Sequence, residues 1–521
     1  MPFSTEALAR VEDKMVATMT RAIRTLQTAH VDPLDFEAIT SALSKGFRVA
    51  TGPVKAVRLT RLDTFDHKLR AAGLTLQLQS GRDGDLLLLA DGDTTVSEPV
   101  ERLRWPALAE ALPAGRLREL TAPVTGIRAL VAMSQESRRL RRLDLLNEDG
   151  KTVARVDVDE PGSPTAGPAQ VTVRTLRGYA SQAQRAARLL TEAGLRPPRR
   201  RAERDHAPVP EPTRADRDAP ATLLLATGLK GGLATMRTNL PGLLDDVDTE
   251  FLHDFRVAVR RTRSTLKLGR SVLPPSMTAR WEPLFKGFGD LTTPVRDLDV
   301  YELDLPTMAG WLVAAGPADL EPFAAHLRTR RSTVRKPLVL GLRSAGFRRL
   351  LTEWGDELDG ISDDSYDPSP ATLSAGRWAE RSISRAYRRV VRSGTAITTG
   401  SPATDLHALR KRCKELRYAI EVSSPVVASR PRKHALAHLK KLQDVLGTFQ
   451  DCHVQSTALR GFAEAMMTDG TPASALLAMG ELIAHLDAEQ ARARRQFEGA
   501  FAQFVRPSTQ HAMDKLGGAR R

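Results

Sequence analysis

Hydrophobic positions along the chain change their spacing twice and so divide it into three segments. Over residues 4–30 they recur every three or four positions, which predicts one helix that Pro33 ends. From about 45 to 175 they alternate, as in GLTLQLQS, which predicts strands in an α+β domain rich in antiparallel pairing. After residue 220 the three-four spacing returns and predicts an all-α region.

The predicted segments suggest a multidomain α+β protein with a linker between its two larger parts. Residues 198–220 are rich in proline and arginine, and the apolar side chains of this segment are too short to form a core. We therefore expect an N-terminal helix over 1–33, a strand-rich domain over 34–197 and a helical domain over 221–521. The N-terminal helix either docks on its own domain or forms a dimer. The linker arginines Arg199–Arg201 are solvated charge or, alternatively, assist anion binding.

Within the helical region, one short basic pattern occurs twice, 154 positions apart. LHDFRVAVRRTR begins at Leu252, and LHALRKRCKELR begins at Leu406. Each pattern places one histidine and three cations at the same offsets, within about 80° of a helix circumference. The match continues into the next segment, where Lys286 aligns with Lys440. The repeat predicts a helical bundle with internal pseudo-twofold symmetry and a positive surface for a long anion.

Composition narrows the class of ligand. A formal net charge of +15 favours a polyanionic partner, while aromatic residues at 5% argue against base-stacking platforms. The amino terminus is unlike a signal peptide, and no apolar run approaches the roughly 18 residues of a membrane span. We therefore expect a cytoplasmic protein without a membrane partner. Cys413 and Cys452 are interpreted as apolar core residues, with no disulfide or thiolate metal site.

The motifs LHxxR…RRxR in the first half and LHxxRKxxKxLRY in the second resemble the CHAD family (conserved histidine α-helical domain). The resemblance covers essentially all of residues 221–521. It implies two pseudo-symmetric four-helix bundles facing each other across a basic groove that binds inorganic polyphosphate. Carried over position by position, the residues of that groove are His253, Arg256, Arg260, Arg261, Arg263, Lys286, His407, Arg410, Lys411, Lys414, Arg417, Lys440 and Lys441.

The physical chemistry of the residues agrees with such a ligand. Polyphosphate needs dense guanidinium and ammonium donors and no aromatic faces. We expect His253 and His407 to contact phosphate, with structural hydrogen bonding and metal ligation as alternatives. A solvated face is the alternative for the stripe as a whole. Arg335 and Arg494 are predicted rim contacts.

The strand-rich segment is similar to the CYTH superfamily of triphosphate tunnel proteins, through RLDTFDHKLRAAGLTLQLQ and the hairpin ESRRLRRLDLLNEDGKTVARVDVDE. A catalytic member opens with Glu-x-Glu-x-Lys, whose carboxylates hold a divalent metal. SKGFRVATG stands there instead, and Gln170 and Thr172 occupy positions where carboxylates are expected. We therefore interpret the domain as degenerate, with no catalytic residue and no metal site. Phosphate contacts remain open for Arg58, Arg61, Arg138 or Arg141.

Together these features predict a polyphosphate-binding protein that needs no cofactor and performs no catalysis. The expected setting is the polyphosphate granule, with polyphosphate-metabolising proteins as further partners. One alternative is a metal-dependent triphosphatase in the CYTH-like domain. A second is non-specific nucleic-acid binding by the same basic surface.

Overall fold

The structure is a computed structural model, and its backbone divides into two compact units, residues 1–209 and 210–521. It describes residues 20–27, 35–91, 94–101, 103–162, 169–196, 215–361 and 373–518. Each unit has hydrophobic cores of its own. Across these described residues, every helix is too short or too polar to span a bilayer.

The first unit is built on a closed antiparallel barrel with the strand order β1-β5-β4-β3-β2-β6-β7-β8. Its strands are β1 (Thr20–Gln27), β2 (Arg48–Thr64), β3 (Leu74–Gly81), β4 (Gly84–Asp91), β5 (Thr94–Val100), β6 (Leu130–Leu146), β7 (Thr152–Pro161) and β8 (Gln170–Thr175). Its helices are α1 (Phe36–Ser44), α2 (Lys68–Ala71), α3 (Arg116–Thr125) and α4 (Ala180–Glu192). The predicted antiparallel α+β architecture is confirmed.

Strand side chains alternate between the two faces of the barrel, and helices cover the apolar side chains that point outward. Val156 and Val158 of β7 are fully buried in a cluster with residues of α1 and α4. A second cluster joins β3 and β4 to α2 and α3. Asp157, between those valines, and Asp159, just after the second, therefore point to the opposite face of the strand, into the barrel.

The predicted helix over residues 4–30 is wrong for residues 20–27. These residues form β1, which pairs with β5 and β8 and closes the barrel. An open barrel would leave the main-chain groups of two strand edges without partners. That requirement outweighs the helical spacing of the local sequence. The rest of the predicted helix lies outside the described residues.

The second unit is helical over its described residues, as predicted. Its helices are α5 (Ala221–Leu244), α6 (Thr249–Gly269), α7 (Pro275–Ala309), α8 (Glu321–Arg343), α9 (Ala345–Asp359), α10 (Ala375–Thr395), α11 (Ala403–Val422), α12 (Ser429–Thr468), α13 (Ala473–Phe504) and α14 (Pro507–Leu516). The two basic patterns lie on α6 and α11, and the segments that follow them lie on α7 and α12.

Packing fixes the rotation of the two basic helices. On α6 Phe255 and Val259 are buried, and on α11 Leu409 and Cys413 are buried, so the basic positions between them are left on the other faces. The start of α6 is fixed by Asp248, whose carboxylate accepts the main-chain N–H of Glu250 at 2.9 Å. The repeated pattern therefore presents its charges from one helix face in each half.

The long helices α7 and α12 meet at positions that the repeat aligns. Leu298 of α7 and its counterpart Cys452 of α12 belong to one buried cluster. The hydroxyl of Tyr301 donates to the main-chain oxygen of Gln455, 154 positions further along, at 3.3 Å. Both cysteines are buried and free, as expected. The finer expectation of two pseudo-symmetric four-helix bundles stays a prediction.

Candidate anion-binding cavity

A cavity of about 1250 Å³ lies in the helical unit and takes side chains from both halves of the repeat. Helix α6 contributes His253, Arg260 and Arg261, and helix α11 contributes Arg410, Lys414 and Arg417. The two basic stripes, far apart in sequence, therefore face one space.

Lys414 is the clearest electrostatic sign that the stripes converge. Burial, together with the positive charges of Arg410 and Arg260, lowers its pKa to about 8. Arg260 belongs to α6, whereas Lys414 and Arg410 belong to α11. A cation of the second half is thus close enough to one of the first half to lose proton affinity.

Carboxylates also line the cavity and neutralise part of its charge. Asp451 accepts from Arg410 at 2.9 Å, and Glu421 accepts from Arg417 at 2.6 Å. No carboxylate among the described residues lies within ion-pair distance of Arg260, Arg261 or Lys414. These three groups are the cations that an incoming anion meets without first breaking an ion pair.

The remaining predicted residues of the first half lie beside the cavity and do not line it. Arg256 donates to the hydroxyls of Thr292 and Thr293 on α7, both at 2.9 Å, and burial lowers its pKa. Arg263 lies against Gly289, where an added Cβ would come 3.2 Å from its guanidinium. Lys286 is exposed and pairs with an aspartate of its own helix. Arg256 and Arg263 thus contact α7, the next helix, and Lys286 belongs to α7 itself.

In the second half, too, some of the predicted residues line the cavity and others do not. His407 does not line the cavity, and its Nδ1 lies 2.8 Å from the amide oxygen of Gln450 on α12. Lys440 is exposed and bound to Asp444, while Lys411 and Lys441 are exposed. Seven of the thirteen predicted residues thus do not line the cavity.

One ion pair recurs at the same place in both halves. Lys286 Nζ lies 2.7 Å from Asp290, and Lys440 Nζ lies 2.7 Å from Asp444. The sequence alignment of the repeat predicted this correspondence, and the contacts agree with it.

The two histidines, by contrast, have different neighbours. Gln450 orients His407, but the aligned position of the first half holds Arg296. Burial lowers the pKa of His253, and the charge of Arg296 lowers it further. Arg296 is 15% exposed, and its Nη1, 3.9 Å from Glu250, has no hydrogen-bond partner. Sequence reasoning missed Arg296, although reading the alignment beyond the motifs would have revealed this difference.

Two predicted rim contacts lie elsewhere, which corrects that prediction. Arg335 donates to the main-chain oxygens of Leu243 and Leu244 at the end of α5, and Arg494 donates to the main-chain oxygen of Thr399. Neither lines the cavity. Both guanidiniums satisfy carbonyls that a helix end or a loop leaves open.

The cavity also contains residues that the repeat could not indicate. Trp311 stacks on His485 of α13, with ring centroids 4.4 Å apart and planes inclined by 12°. Arg492 of the same helix lines the wall and pairs with Glu489. These residues lie outside the repeated motifs, so no sequence signal marked them.

Inside the barrel of the first unit, arginine side chains donate hydrogen bonds to the carboxylates. Arg142 and Arg174 both donate to Asp157, and they outweigh the burial that opposes its ionisation, so its pKa is lowered. Burial raises the pKa of Asp159, although Arg138 donates to it at 2.7 Å. In the part of the chain that the structure describes, no group of three or more His, Cys, Asp or Glu residues is placed to hold a metal ion.

Arg141, one of the four arginines considered for phosphate in the strand-rich domain, faces outward. Its guanidinium lies 3.9 Å from the ring centroid of Phe36 on α1. It is paired opposite Val158, whose side chain is buried under the covering helices. Arg141 therefore belongs to the packing between barrel and helix.

Comparison with known proteins adds the family. No curated protein matches the chain. Among solved structures, the chain is similar to the CHAD domain of the plant Ricinus communis, with 21% identity over 60% of this chain and 96% of that one and a TM-score of 0.42. It is also similar to PptA from Streptomyces chartreusis, with 18% identity over 55% of this chain and 100% of that one and a TM-score of 0.42. A third similar structure is HpAC1 from Hippeastrum, which has a dominant triphosphatase activity. The identity is 14% over 33% of this chain and 88% of that one, and the TM-score is 0.23.

The family model for the CHAD domain matches residues 227–460. The matched range includes α6, α7 and α11 in full and α12 as far as residue 460. All thirteen residues predicted for the basic groove lie within it. The chain therefore contains a CHAD domain over residues 227–460.

Proposed function

We propose that the helical unit binds inorganic polyphosphate in this cavity and does so without catalysis. The observation that carries the proposal is the convergence of two repeated basic stripes on one space. His253 and Arg260 enter it from α6, and Arg410 and Lys414 enter it from α11. A chain of phosphates lying in the cavity would meet donors along both sides.

The chemistry of the ligand fits these donors. Each phosphate carries charge and offers oxygens, which guanidinium forks bind in pairs and ammonium groups bind as point charges. The α6 residues that line the cavity run from 253 to 261, about 12 Å along the helix axis. Such a length suits a repeating anion better than a single phosphate group.

Binding has to separate some of the existing ion pairs. Arg260 and Lys414 are available at once, whereas Arg410 is held by Asp451 and Arg417 by Glu421. Exposed pairs of this kind contribute only about 0–1 kcal/mol. A polyanion that supplies several phosphates can therefore exchange with the carboxylates.

A non-catalytic role for the barrel belongs to the same proposal. Its carboxylates Asp157 and Asp159 are engaged by arginines, which compete with any metal ion for the same oxygens. Phosphate release from tripolyphosphate with magnesium or manganese would contradict this part. We also propose that polyphosphate binding brings the protein to polyphosphate granules and to the enzymes that act there.

The direct test is a binding titration with polyphosphate of defined length at two ionic strengths. We expect affinity to fall steeply with salt, since bound phosphates release counterions. The variant R260E/K414E should lose most of the affinity for polyphosphate, because it reverses two unpaired cations. The matched control R349E/K515E makes the same charge change at exposed positions on α9 and α14. Unchanged binding by R260E/K414E would overturn the assignment of the cavity.

Competition separates this proposal from nucleic-acid binding. RNA, DNA and polyphosphate are compared at equal phosphate concentration, with displacement of labelled polyphosphate as the readout. The stacked pair Trp311 and His485 makes the control necessary, since an aromatic face could hold a base. Stronger displacement by RNA or DNA than by unlabelled polyphosphate would favour the nucleic-acid alternative.

A further inference from the structure

Helix α10 carries a second concentration of positive charge that the repeat does not include. Its sequence AGRWAERSISRAYRRVVRSGT places arginines mostly three or four positions apart. Residues at this spacing share one face of a helix. The arginines of this face are Arg377, Arg381, Arg385, Arg388, Arg389 and Arg392.

Packing turns this arginine face toward solvent. Trp378, Ile383 and Val390 are buried, the last two in a core shared with α11 and α12. All six arginines are exposed. None of them lines the cavity between α6 and α11. The arginine face is therefore a surface separate from the proposed groove.

The arginine face keeps its charge. No carboxylate among the described residues lies within ion-pair distance of any of the six arginines, and Glu380, the acidic residue on this helix, pairs with Arg217. Arg388 donates only to the main-chain oxygen of Ser384. Like charges one helical turn apart repel each other and destabilise the helix. An anion bound along the face would remove this repulsion.

We propose that the arginine face of α10 is a second polyphosphate-binding surface, an inference that rests on the proposed function of the helical unit. The arginines from 377 to 392 span about 22 Å of helix axis, a regular row that suits a repeating anion. No aromatic side chain accompanies them on this face, because Trp378 is buried and Tyr387 packs on Phe504. The face therefore offers contacts to phosphate and no aromatic platform on which bases could stack.

A molecule with two binding surfaces can engage long polyphosphate in ways that a molecule with a single surface cannot. A long chain can occupy the cavity and the arginine face together, or two chains can each occupy one of them. The first arrangement raises the affinity for long chains through effective concentration. The second cross-links chains into a network.

The test compares three proteins with short and long polyphosphate. The variant R377Q/R381Q/R385Q/R389Q removes four charges and keeps a helix-compatible side chain at each position. The variant with lysine at the same four positions preserves the charge and removes the guanidinium fork. Circular dichroism establishes that all three proteins are equally folded. Isothermal titration reports the affinity for short chains, and light scattering reports cross-linking by long chains.

We expect the glutamine variant to bind short chains within about twofold of the unchanged protein and to lose cross-linking by long chains. The lysine variant should retain part of it, because its point charges remain. Cross-linking equal to that of the unchanged protein in the glutamine variant would overturn the inference and leave the proposed function intact. If the unchanged protein binds polyphosphate of no length, the proposed function itself fails.

The groove variant gives the complementary measurement. R260E/K414E keeps the arginine face, so long chains should still bind weakly and with strong salt dependence. Combining it with the glutamine variant should abolish this remainder. Equal residual binding with and without the four arginines would assign it to another part of the chain and contradict the second surface.

Discussion

The basic helices α6 and α11 carry the same stripe, but their surroundings use it differently. In the second half, Asp451 holds Arg410 and Glu421 holds Arg417. In the first half, Arg260 and Arg261 have no carboxylate at ion-pair distance among the described residues. A repeated motif therefore specifies where charges stand, and its neighbours decide how many of them are available to a ligand.

The histidines show the same divergence. His407 is oriented by Gln450, while His253 lies near the buried guanidinium of Arg296 at the aligned position. A neutral amide fixes the ring by a hydrogen bond, whereas a cation disfavours its protonation. We expect the two halves to contribute unequally to anion binding, with the unpaired cations of α6 contributing more.

Removing charge from one half at a time should produce the largest difference. R260Q/R261Q removes two unpaired cations, and we expect polyphosphate affinity to fall by roughly 10- to 100-fold, or about 1.4–2.7 kcal/mol. R410Q/D451N removes an existing ion pair without changing net charge, and we expect less than about threefold loss. Titration calorimetry compares the two. Equal losses would mean that the halves bind alike.

Lys414 lies where the two halves meet. Its titration should make ligand affinity and folding stability change in opposite directions as the pH rises. Its pKa, lowered to about 8, means that its charge is present below that pH and lost as the pH rises through it. Affinity for polyphosphate should therefore decline above pH 8. The free protein should gain stability from this group as the pH rises from about 8 toward the ordinary lysine value of about 10.4, because folding disfavours the charged form.

Two substitutions at this position sharpen the test. K414M should raise the melting temperature of the free protein at pH 7 and weaken binding, because it removes a charge that burial and the neighbouring cations disfavour. K414R should keep the affinity constant across pH 8. A melting temperature that falls in K414M would contradict the electrostatic account, since that result would assign Lys414 a supporting role in the fold.

Exchanging the residues behind the histidines should have a smaller effect. R296Q gives the first half the residue of the second, and we expect the pKa of His253 to rise because one neighbouring charge is removed. The reciprocal variant Q450R removes the acceptor of the His407 ring. NMR titration of the His253 ring measures the first change. A pKa of His253 that does not move in R296Q would contradict the role of Arg296 and leave burial and Arg260 as the causes.

The smallest expected effect concerns the contact between the two helices. Lys267 of α6 lies 2.5 Å from Glu415 of α11, with the lysine 58% and the glutamate 31% exposed. Pairs this accessible contribute about 0.2–1 kcal/mol to stability. A double-mutant cycle with K267M and E415Q, read by chemical denaturation, measures the coupling. Reversal of the pair in K267E/E415K should restore most of it.

Position 267 also shows how a repeat misleads when it is read alone. Lys267 follows the stripe of α6, yet the aligned residue of α11 is Glu421. The structure uses Lys267 to reach across to α11, and Glu421 to hold Arg417 within its own helix. The contact of Lys267 depends on which residue of α11 stands opposite, so alignment of the repeat could not assign it.

The sequence by itself determined the fold class, the CHAD domain and the faces of α6 and α11. The fold class and the helix faces follow from local periodicity, since the burial of Phe255 and Leu409 fixes which side of each helix carries charge. The CHAD domain was indicated by the resemblance of the repeated motifs to that family. The recurring pair of Lys286 with Asp290 was also accessible, because its partners lie one turn apart on one helix. Contacts between near neighbours are encoded in spacing alone.

Only the tertiary structure decided which charges remain available and which strand closes the barrel. Residues 20–27 have helical spacing, but the edges of β5 and β8 take them as a strand. The pairing of Trp311 with His485 and the approach of Arg260 to Lys414 join residues far apart in the chain. Such effects depend on distance in space, through hydrogen bonds at strand edges and through charge at short range, and sequence spacing carries no record of that distance.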